Sequence, residues 1–94
     1  MILKNWSVVT RDPFQAPELS QCLQGAVYGH PRFEDGSLIT TSRIMKIVDE
    51  GEYKAVTTRS GSVYRLYKED VDSEAERQFP GYYERLKIKE ADHE

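Results

Sequence analysis

Cysteine, histidine and long apolar runs are scarce in this chain of 94 residues, and each shortage excludes a class of protein. The single cysteine, Cys22, excludes an intramolecular disulfide and a cysteine-rich zinc site, and it is expected on a buried apolar face. Two histidines are too few to suggest a metal site, and His93 lies in a tail that is expected to fray. No apolar run approaches the roughly 20 residues of a membrane span, so no contact with a membrane is expected.

Catalytic signatures are also missing. The sequence contains no glycine-rich phosphate loop with lysine, no G-x-S-x-G elbow and no H-E-x-x-H pair. The adjacent carboxylates Glu34 and Asp35 have no apolar neighbours that would raise a pKa for general acid–base work. We therefore expect a protein that is not an enzyme and that uses no cofactor and no metal. Lys4 and Asn5 interrupt the apolar start of the chain, so no signal peptide is expected and the cytoplasm is the expected location.

Charge is divided unevenly along the sequence. Residues 1–67 carry eight Lys and Arg against seven Asp and Glu, whereas residues 68–94 carry five against nine. A protein that binds duplex nucleic acid needs a basic face, and this distribution argues against that class. The acidic C-terminal segment is typical of a solvated surface, and its alternative use is docking against a basic partner.

Turn-forming residues divide the rest of the chain into short β-strands, and one domain covering residues 1–94 is expected. The predicted fold is α+β and β-rich: a twisted antiparallel meander of four to five short strands over about 5–67, packed against short helical segments in the acidic region of about 71–91. Strands are predicted at 5–10, 23–30, 37–48, 53–59 and 62–67. Helices are predicted from Asp72 or Ser73 and over 81–92, with a break at Pro80-Gly81 and a single helical turn at 17–23.

A repeated pattern of threonine, serine and arginine points to a candidate site. The strings "TTSR" at 40–43 and "TTRS" at 57–60 lie on neighbouring predicted strands. If 49–52 is a four-residue loop, Val48 faces Tyr53 and Arg43 faces Thr58, and a two-residue turn at Ser60-Gly61 follows. Both strings then lie at the sheet edge that the loop 29–36 enters. This inference depends on the register, because a slip of one residue reverses the faces.

Arginine matches phosphate or carboxylate, hydroxyls add adaptable hydrogen bonds, and aromatic rings stack on a base. The edge also includes Thr40, Thr57 and Ser62, and Tyr28 is a further candidate for stacking. The predicted ligand-binding residues are His30, Arg32, Phe33, Thr41, Ser42, Arg43, Thr58, Arg59, Ser60 and Tyr64. The alternative is purely structural: cross-strand Thr pairs stabilise a solvated sheet, and His30 holds its turn through a backbone hydrogen bond.

The strings "VYGHPRFEDG", "ITTSRI" and "VTTRSGSVYRL", with "NWSVV" and "DPFQAPEL" before them, resemble a recurring group of small, uncharacterised phage and mobile-element proteins. The resemblance covers about two thirds of the chain and does not include the segment after Lys68. It implies an origin in a phage or another mobile element and carries no established activity. Small phage proteins of this kind often act by stoichiometric binding in the cytoplasm of the host cell.

Three functions follow as hypotheses. The first is a counter-defence protein, or sponge, that sequesters a nucleotide-derived immune signal at the arginine and hydroxyl edge. The second is an inhibitor of the anti-CRISPR type that covers a host defence complex with its acidic C-terminal face. The third is a small hydrolase of such a signal, with His30 as the general base. Exposed sheet edges and a small core favour a homodimer or a higher homo-oligomer.

Overall fold

Five β-strands and two short helices make up the part of the chain, residues 1–10 and 21–86, that the computed structural model describes. In chain order they are β1 (Ile2–Thr10), β2 (Gln21–Tyr28), β3 (Ser37–Asp49), β4 (Lys54–Thr58), β5 (Val63–Leu66), α1 (Ser73–Gln78) and α2 (Tyr82–Arg85). A 3-10 turn at Lys68–Asp70 links β5 to α1. The β-rich fold and the short C-terminal helices are as predicted from the sequence.

Two of the local predictions need correction. β1 begins at Ile2 and not at Asn5, and Gln21–Tyr28 forms a strand where a helical turn was expected over 17–23. Alternating burial along β2, with Leu23, Gly25 and Val27 inside, outweighs the weak helical signal of Pro17. The remainder of that turn, the loop before it, and the predicted helical residues after Leu86 lie outside the described residues.

Closure of the sheet into a barrel is the main feature that the sequence did not suggest. Consecutive strands pair antiparallel, and β5 then returns beside β1, where Ile2 lies opposite Arg65 in a short parallel contact. The backbone N–H of Arg65 donates to the carbonyl oxygen of Met1 at 2.7 Å. Because β1 and β5 pair with each other, the expectation of a homo-oligomer no longer rests on exposed edges of the sheet, and it stays a prediction.

The C-terminal segment covers the edge of β1 beyond this contact. Trp6 pairs with Val71, and the N–H of Asp72 donates to the Trp6 carbonyl oxygen at 2.8 Å. Further along, the hydroxyl of Tyr82 accepts from the N–H of Val8 at 2.9 Å. The C-terminal segment is therefore attached to the barrel through backbone groups of β1 that do not pair with β5.

A bulge in β1 brings its tryptophan inside. Asn5 and Trp6 together oppose Gly25, and Asn5 adopts a left-handed conformation with φ of 53°. A Cβ on Gly25 would lie 2.6 Å from Leu3 Cδ2, so only glycine permits this approach of β1 and β2. Trp6 is fully buried, and its indole N–H donates to the carbonyl oxygen of Tyr67 at 3.0 Å.

The core fills the barrel and continues beneath α2. Its buried side chains are Leu3, Trp6, Leu23, Val27, Ile44, Val56, Tyr64, Leu66, Tyr83 and Leu86. α1 begins after Asp72, whose carboxylate accepts from the N–H of Ala75 at 3.0 Å, as predicted from the acidic start of that helix. Among the described residues, no helix has the length and the apolar character that crossing a membrane requires.

One end of the barrel is sealed by α2, and we call it the closed end. The buried Lys54 extends from the start of β4, and its Nζ donates to the carbonyl oxygens of Tyr83 at 2.6 Å and Leu86 at 3.2 Å. The same ammonium group lies 4.6 Å from the centre of the Tyr83 ring. The opposite end, where Met1, loop 29–36 and loop 59–61 meet, we call the open end.

Candidate functional site

A cavity of about 390 Å³ lies at the open end. Seven of the ten ligand-binding residues predicted from the sequence line it: His30, Arg32, Phe33, Thr41, Ser42, Ser60 and Tyr64. The other lining residues are Met1, Pro31, Ile39, Thr40 and Ser62. Two loops and the ends of three strands thus bring the predicted residues together.

The first predicted hairpin register is wrong, although its loop length is correct. Val48 lies opposite Ala55, and Asp49 lies opposite Lys54, so the loop is 50–53 and not 49–52. The carboxylate of Asp49 accepts from the N–H of Gly51 at 2.9 Å, and Gly51 has φ of 96°. This side-chain hydrogen bond starts the turn one residue later than the sequence suggested.

The second predicted register fails because the turn between β4 and β5 contains three residues. The N–H of Gly61, which has φ of 91°, donates to Thr58, and the N–H of Thr58 donates to the carbonyl oxygen of Ser62 at 3.0 Å. This is the three-residue loop with a left-handed glycine, and it leaves Arg59 in the turn and not opposite Ser62. A bulge at Met45 further shifts β3 against β4, so Ile44 and not Arg43 faces Thr58.

Hydroxyl groups still converge at the open end, because the turn crosses over to β3. The N–H of Ser60 donates to Oγ of Ser42 at 3.1 Å. Ser60 Oγ lies 3.2 Å from Oγ1 of Thr58 and donates to Oγ of Ser62 at 3.4 Å. Ser42, Ser60 and Ser62, which line the cavity, are therefore connected with one another and with the buried hydroxyl of Thr58.

A bulge between β2 and β3 shapes that wall. Thr41 and Ser42 together oppose Leu23, whose N–H donates to Oγ1 of Thr41 at 3.0 Å. Thr41 Oγ1 also donates to the carbonyl oxygen of Ser42 at 2.8 Å. The hydroxyl of buried Thr41 thus fixes the backbone that places Ser42 at the cavity.

Loop 29–36 forms the opposite wall. The carboxylate of Asp35 accepts from the N–H of Gly29 at 2.9 Å, and the N–H of Gly36, with φ of 90°, donates to the carbonyl oxygen of Val27 at 2.8 Å. Within the loop, Nδ1 of His30 accepts from the N–H of Arg32 at 2.9 Å. The backbone hydrogen bond predicted for His30 is confirmed.

Three aromatic rings meet at this wall. His30 lies edge-on to Phe33 with ring centres 4.7 Å apart, and it is stacked against Tyr64 at 6.4 Å. Tyr64 is buried in the barrel, whereas Phe33 is 44% exposed. The cluster joins the apolar core to the cavity and offers ring faces and edges to a flat ligand.

Arg43, Thr58 and Arg59 do not line the cavity. The guanidinium of Arg43 donates to Sδ of Met45 at 3.4 Å, on the outside of β3, and Arg59 lies exposed in its turn. Thr58 is buried and reaches the cavity only through Ser60. Tyr28 is also absent from the lining, and Lys4 lies over its ring at 5.5 Å.

Sequence reasoning missed Met1, Pro31 and Ile39. Ile39 and Pro31 flank predicted residues, and their contribution follows from the bulge and the loop. Met1 reaches the cavity because β5 pairs with the start of β1, and no local pattern indicates that contact. Thr40 and Ser62 were placed on the same edge by the hydroxyl pattern.

The electrostatic character of the cavity is simple. Of the described residues that line it, Arg32 carries the only charged side chain, and none contributes a carboxylate. Such a lining attracts a group that is negatively charged or accepts hydrogen bonds. A second cavity of about 300 Å³ lies near the closed end, against Val8, Phe79 and Tyr82, and contains none of the predicted residues.

The described residues thus form a small five-stranded barrel, antiparallel except where β5 meets β1, with a polar, aromatic cavity at its open end. Comparisons with protein-family models, with curated proteins and with solved structures find no significant match. The chemistry of the lining residues is therefore the basis for any functional argument.

Proposed function

We propose that the open-end cavity binds a small, anionic, nucleotide-like ligand and that the protein sequesters this ligand without converting it. The observation that supports the proposal is the composition of one cavity: an aromatic cluster, a connected group of hydroxyls, Arg32, and no carboxylate side chain among its described lining residues. Aromatic rings stack on a base, and arginine and hydroxyl groups donate hydrogen bonds to a phosphate. At about 390 Å³ the cavity lies within the range of roughly 300–1,000 Å³ that is usual for small-molecule sites.

The state of His30 favours binding over hydrolysis. Because Nδ1 accepts a hydrogen bond from Arg32, the neutral ring carries its proton on Nε2. The ring then offers a donor to a ligand and has no free lone pair with which to act as a general base. This geometry supports a binding role for His30.

The biological role that we attach to this cavity is counter-defence in a phage-infected cell, acting in the cytoplasm of the host. It rests on the resemblance of the strings around the cavity to small phage proteins. A sponge removes a nucleotide-derived immune signal by mass action and needs affinity without catalysis. A homo-oligomer is part of this proposal, since several copies would offer several cavities.

The acidic C-terminal face receives less support as a docking surface. The carboxylate of Glu76 accepts from the N–H groups of Gly81 and Tyr82, at 3.0 and 3.3 Å, and so joins α1 to α2. Glu74 is occupied by Arg77 and Gln78 on its own helix. These acids hold the local structure, so charge reversal at Glu76 would disturb the fold as well as any partner.

The experiment compares arginines inside and outside the cavity. Native mass spectrometry of the whole chain, with cyclic nucleotides and ADP-ribose derivatives as probes, reports bound mass and subunit number together. We expect the parent protein to bind and release at least one probe intact. Arg32→Ala should weaken this binding by roughly tenfold or more, because a charge-assisted hydrogen bond is lost.

The matched control is the double variant Arg43→Ala with Arg59→Ala, which removes two arginines that do not line the cavity. It should bind the probe within about twofold of the parent protein, since neither guanidinium lines the cavity and charges at the surface are screened by salt. A larger loss in the double variant than in Arg32→Ala would overturn the assignment of the cavity. Recovery of a chemically altered probe would overturn sequestration and favour the hydrolase.

A further inference from the structure

We infer that Tyr64 is a specificity-determining residue of the open-end cavity, where its hydroxyl binds the polar edge of the ligand's base; this inference rests on the proposed function. Tyr64 is deeply buried, and its ring belongs to the aromatic cluster at the cavity. Its hydroxyl has no hydrogen-bond partner among the described residues.

The burial of the lining residues shows which of them lie deepest. Among the described residues that line the cavity, Tyr64 and Thr41 are buried. Tyr64 is 3% exposed, whereas Arg32, Phe33 and Ser60 are exposed. Tyr64 therefore lies at the inner end of the cavity, and exposed residues surround its mouth.

The hydroxyl groups at this inner end differ in their hydrogen bonds. The hydroxyl of Thr41 accepts from the N–H of Leu23 at 3.0 Å and donates to the carbonyl oxygen of Ser42 at 2.8 Å. The hydroxyl of Tyr64 makes no hydrogen bond with another described residue. The hydroxyl of Tyr83 also has no such partner, but it is fully enclosed, whereas that of Tyr64 borders the cavity. Tyr64 therefore offers a hydroxyl that a ligand can reach.

The ring of Tyr64 indicates which part of a nucleotide comes near this hydroxyl. It is stacked against His30, with ring centres 6.4 Å apart and planes inclined by 29°, and Phe33 lies edge-on to His30 at 4.7 Å. A base binds by stacking on such a cluster, so its edge lies beside the Tyr64 hydroxyl. Arg32 and Met1, which bears the N-terminal ammonium, supply cations at the same cavity for the phosphate.

A buried hydroxyl discriminates between ligands by what it lacks when they bind. The phenol group of Tyr64 both donates and accepts a hydrogen bond, and the edge of a nucleobase offers groups of both kinds. A ligand that covers this hydroxyl without a matching group leaves it unpaired, at a cost in affinity. Sites that hydrogen-bond a ligand therefore reject analogues more strongly than apolar pockets do. We expect Tyr64 to distinguish bases that stack equally well.

The test is a calorimetric titration of the whole protein and of Tyr64→Phe. The probes are the 5′-monophosphates and 3′,5′-cyclic monophosphates of adenosine, guanosine, cytidine and uridine, together with ADP-ribose and with ribose 5-phosphate, which has no base. We expect the parent protein to prefer one base by about threefold or more. Tyr64→Phe should weaken binding of the preferred probe by about three- to tenfold, the effect of one hydrogen bond, and should leave binding of ribose 5-phosphate unchanged.

Tyr53→Phe is the matched control, because Tyr53 does not line the cavity and the guanidinium of Arg65 lies 4.9 Å from the centre of its ring. This variant should bind every probe as the parent protein does. Tyr64→Phe should melt within about 3 °C of the parent protein, since no hydrogen bond to another described residue is lost. A loss of affinity in a variant of unchanged stability belongs to the ligand contact and not to the fold.

An equal loss of nucleotide and ribose 5-phosphate binding in Tyr64→Phe would place the hydroxyl at the sugar or the phosphate and overturn the inference. Unchanged nucleotide binding in Tyr64→Phe, or a parent protein without preference among the four bases, would overturn it as well. In these cases the proposed function stands, because the parent protein still binds a nucleotide. If the parent protein binds none of the probes, the proposed function fails and the inference fails with it.

Discussion

The two ends of the barrel use polar groups in opposite ways. At the closed end, Lys54 donates to the carbonyl oxygens of Tyr83 and Leu86, so the chain itself satisfies these two acceptors. At the open end, the hydroxyl hydrogens of Ser42 and Ser62 have no acceptor among the described residues. The difference teaches that the closed end uses its cation within the chain, whereas the open end leaves hydroxyl donors for the ligand that we propose.

The largest expected effect is at the closed end. Lys54→Met keeps an unbranched side chain that is one atom shorter and removes its donors, which leaves the buried carbonyl oxygens of Tyr83 and Leu86 without Nζ. We expect the free energy of unfolding to fall by about 2–3 kcal/mol, as for buried polar groups that lose a charged partner. Urea denaturation followed by tryptophan fluorescence measures this, since Trp6 is buried in the core.

Lys46→Met is the matched control, because Lys46 is exposed on β3, and it should shift stability by less than about 0.5 kcal/mol. Ligand affinity of folded Lys54→Met should equal that of the parent protein. If the affinity of Lys54→Met fell in proportion to its stability, the two ends of the barrel would not act independently of each other.

A smaller effect of opposite sign is expected at Tyr83. Its hydroxyl is buried and has no hydrogen-bond partner among the described residues. Tyr83→Phe removes this group and should stabilise the protein by about 1 kcal/mol, since an unsatisfied buried hydroxyl is costly. Destabilisation on this substitution would show that the hydroxyl has a partner and that the closed end is satisfied throughout.

The same variant changes the response to alkali. Burial raises the pKa of Tyr83, and the negative charge of Asp49 adds to the shift. In the unfolded chain the Tyr83 hydroxyl ionises near pH 10, whereas in the folded protein it stays neutral to a higher pH. The parent protein therefore loses stability as the pH rises above about 10 towards the raised pKa of the folded state. Tyr83→Phe should lose less stability over that range, which melting curves between pH 8 and pH 11 would measure.

The smallest expected effect concerns an exposed ion pair that joins the 3-10 turn to α2. Lys68 Nζ lies 2.8 Å from the carboxylate of Glu84; this hydrogen bond lowers the pKa of Glu84 and raises the pKa of Lys68. The contribution of Glu84 is present above its unfolded pKa and is lost as the pH falls through its lower folded pKa. The contribution of Lys68 is present below its unfolded pKa and is lost as the pH rises through its raised folded pKa.

Lys68→Met should therefore lower the melting temperature by a small, constant amount between about pH 5 and pH 10, and by less outside that range. Added salt should reduce the difference, because both side chains are exposed. A difference that persisted at pH 2 would show that Lys68 acts by packing and not by charge.

The sequence predicted most strands and the start of α1 well, because turn residues and β-branched runs are local signals. The second helix was predicted over 81–92, but α2 ends at Arg85 and Leu86 is already extended. Asp72 marked the start of α1, and Asp35-Gly36 lies in the turn that enters β3. Closure of the barrel was not predictable, because Ile2 and Arg65 meet through global geometry and no local pattern encodes that contact.

The candidate site was predicted better than its register. Both hairpins were misaligned, by the Asx-type turn at Asp49, the bulge at Met45 and the three-residue loop that ends at Gly61. Most of the predicted residues still come together, because the strings at 40–43 and 57–60 both lie near the open end whichever residues pair there. The arginines were less predictable, since a bulge or a turn decides the direction of each side chain: Arg32 reaches the cavity, and Arg43 does not.

The contact between β1 and β5 has a consequence for the order of folding. Strands β1 to β5 join their neighbours through short-range hairpins or a nearby loop, but the pairing of Ile2 with Arg65 encloses almost the whole barrel in one loop. Such a long loop closes late and at a cost in chain entropy. Met1 takes part in this contact and also lines the cavity, so we expect the candidate site to be completed late in folding. The ligand that we propose, bound between Met1 and Tyr64, would connect β1 to β5, and it would slow unfolding even in a variant whose closed end is weakened.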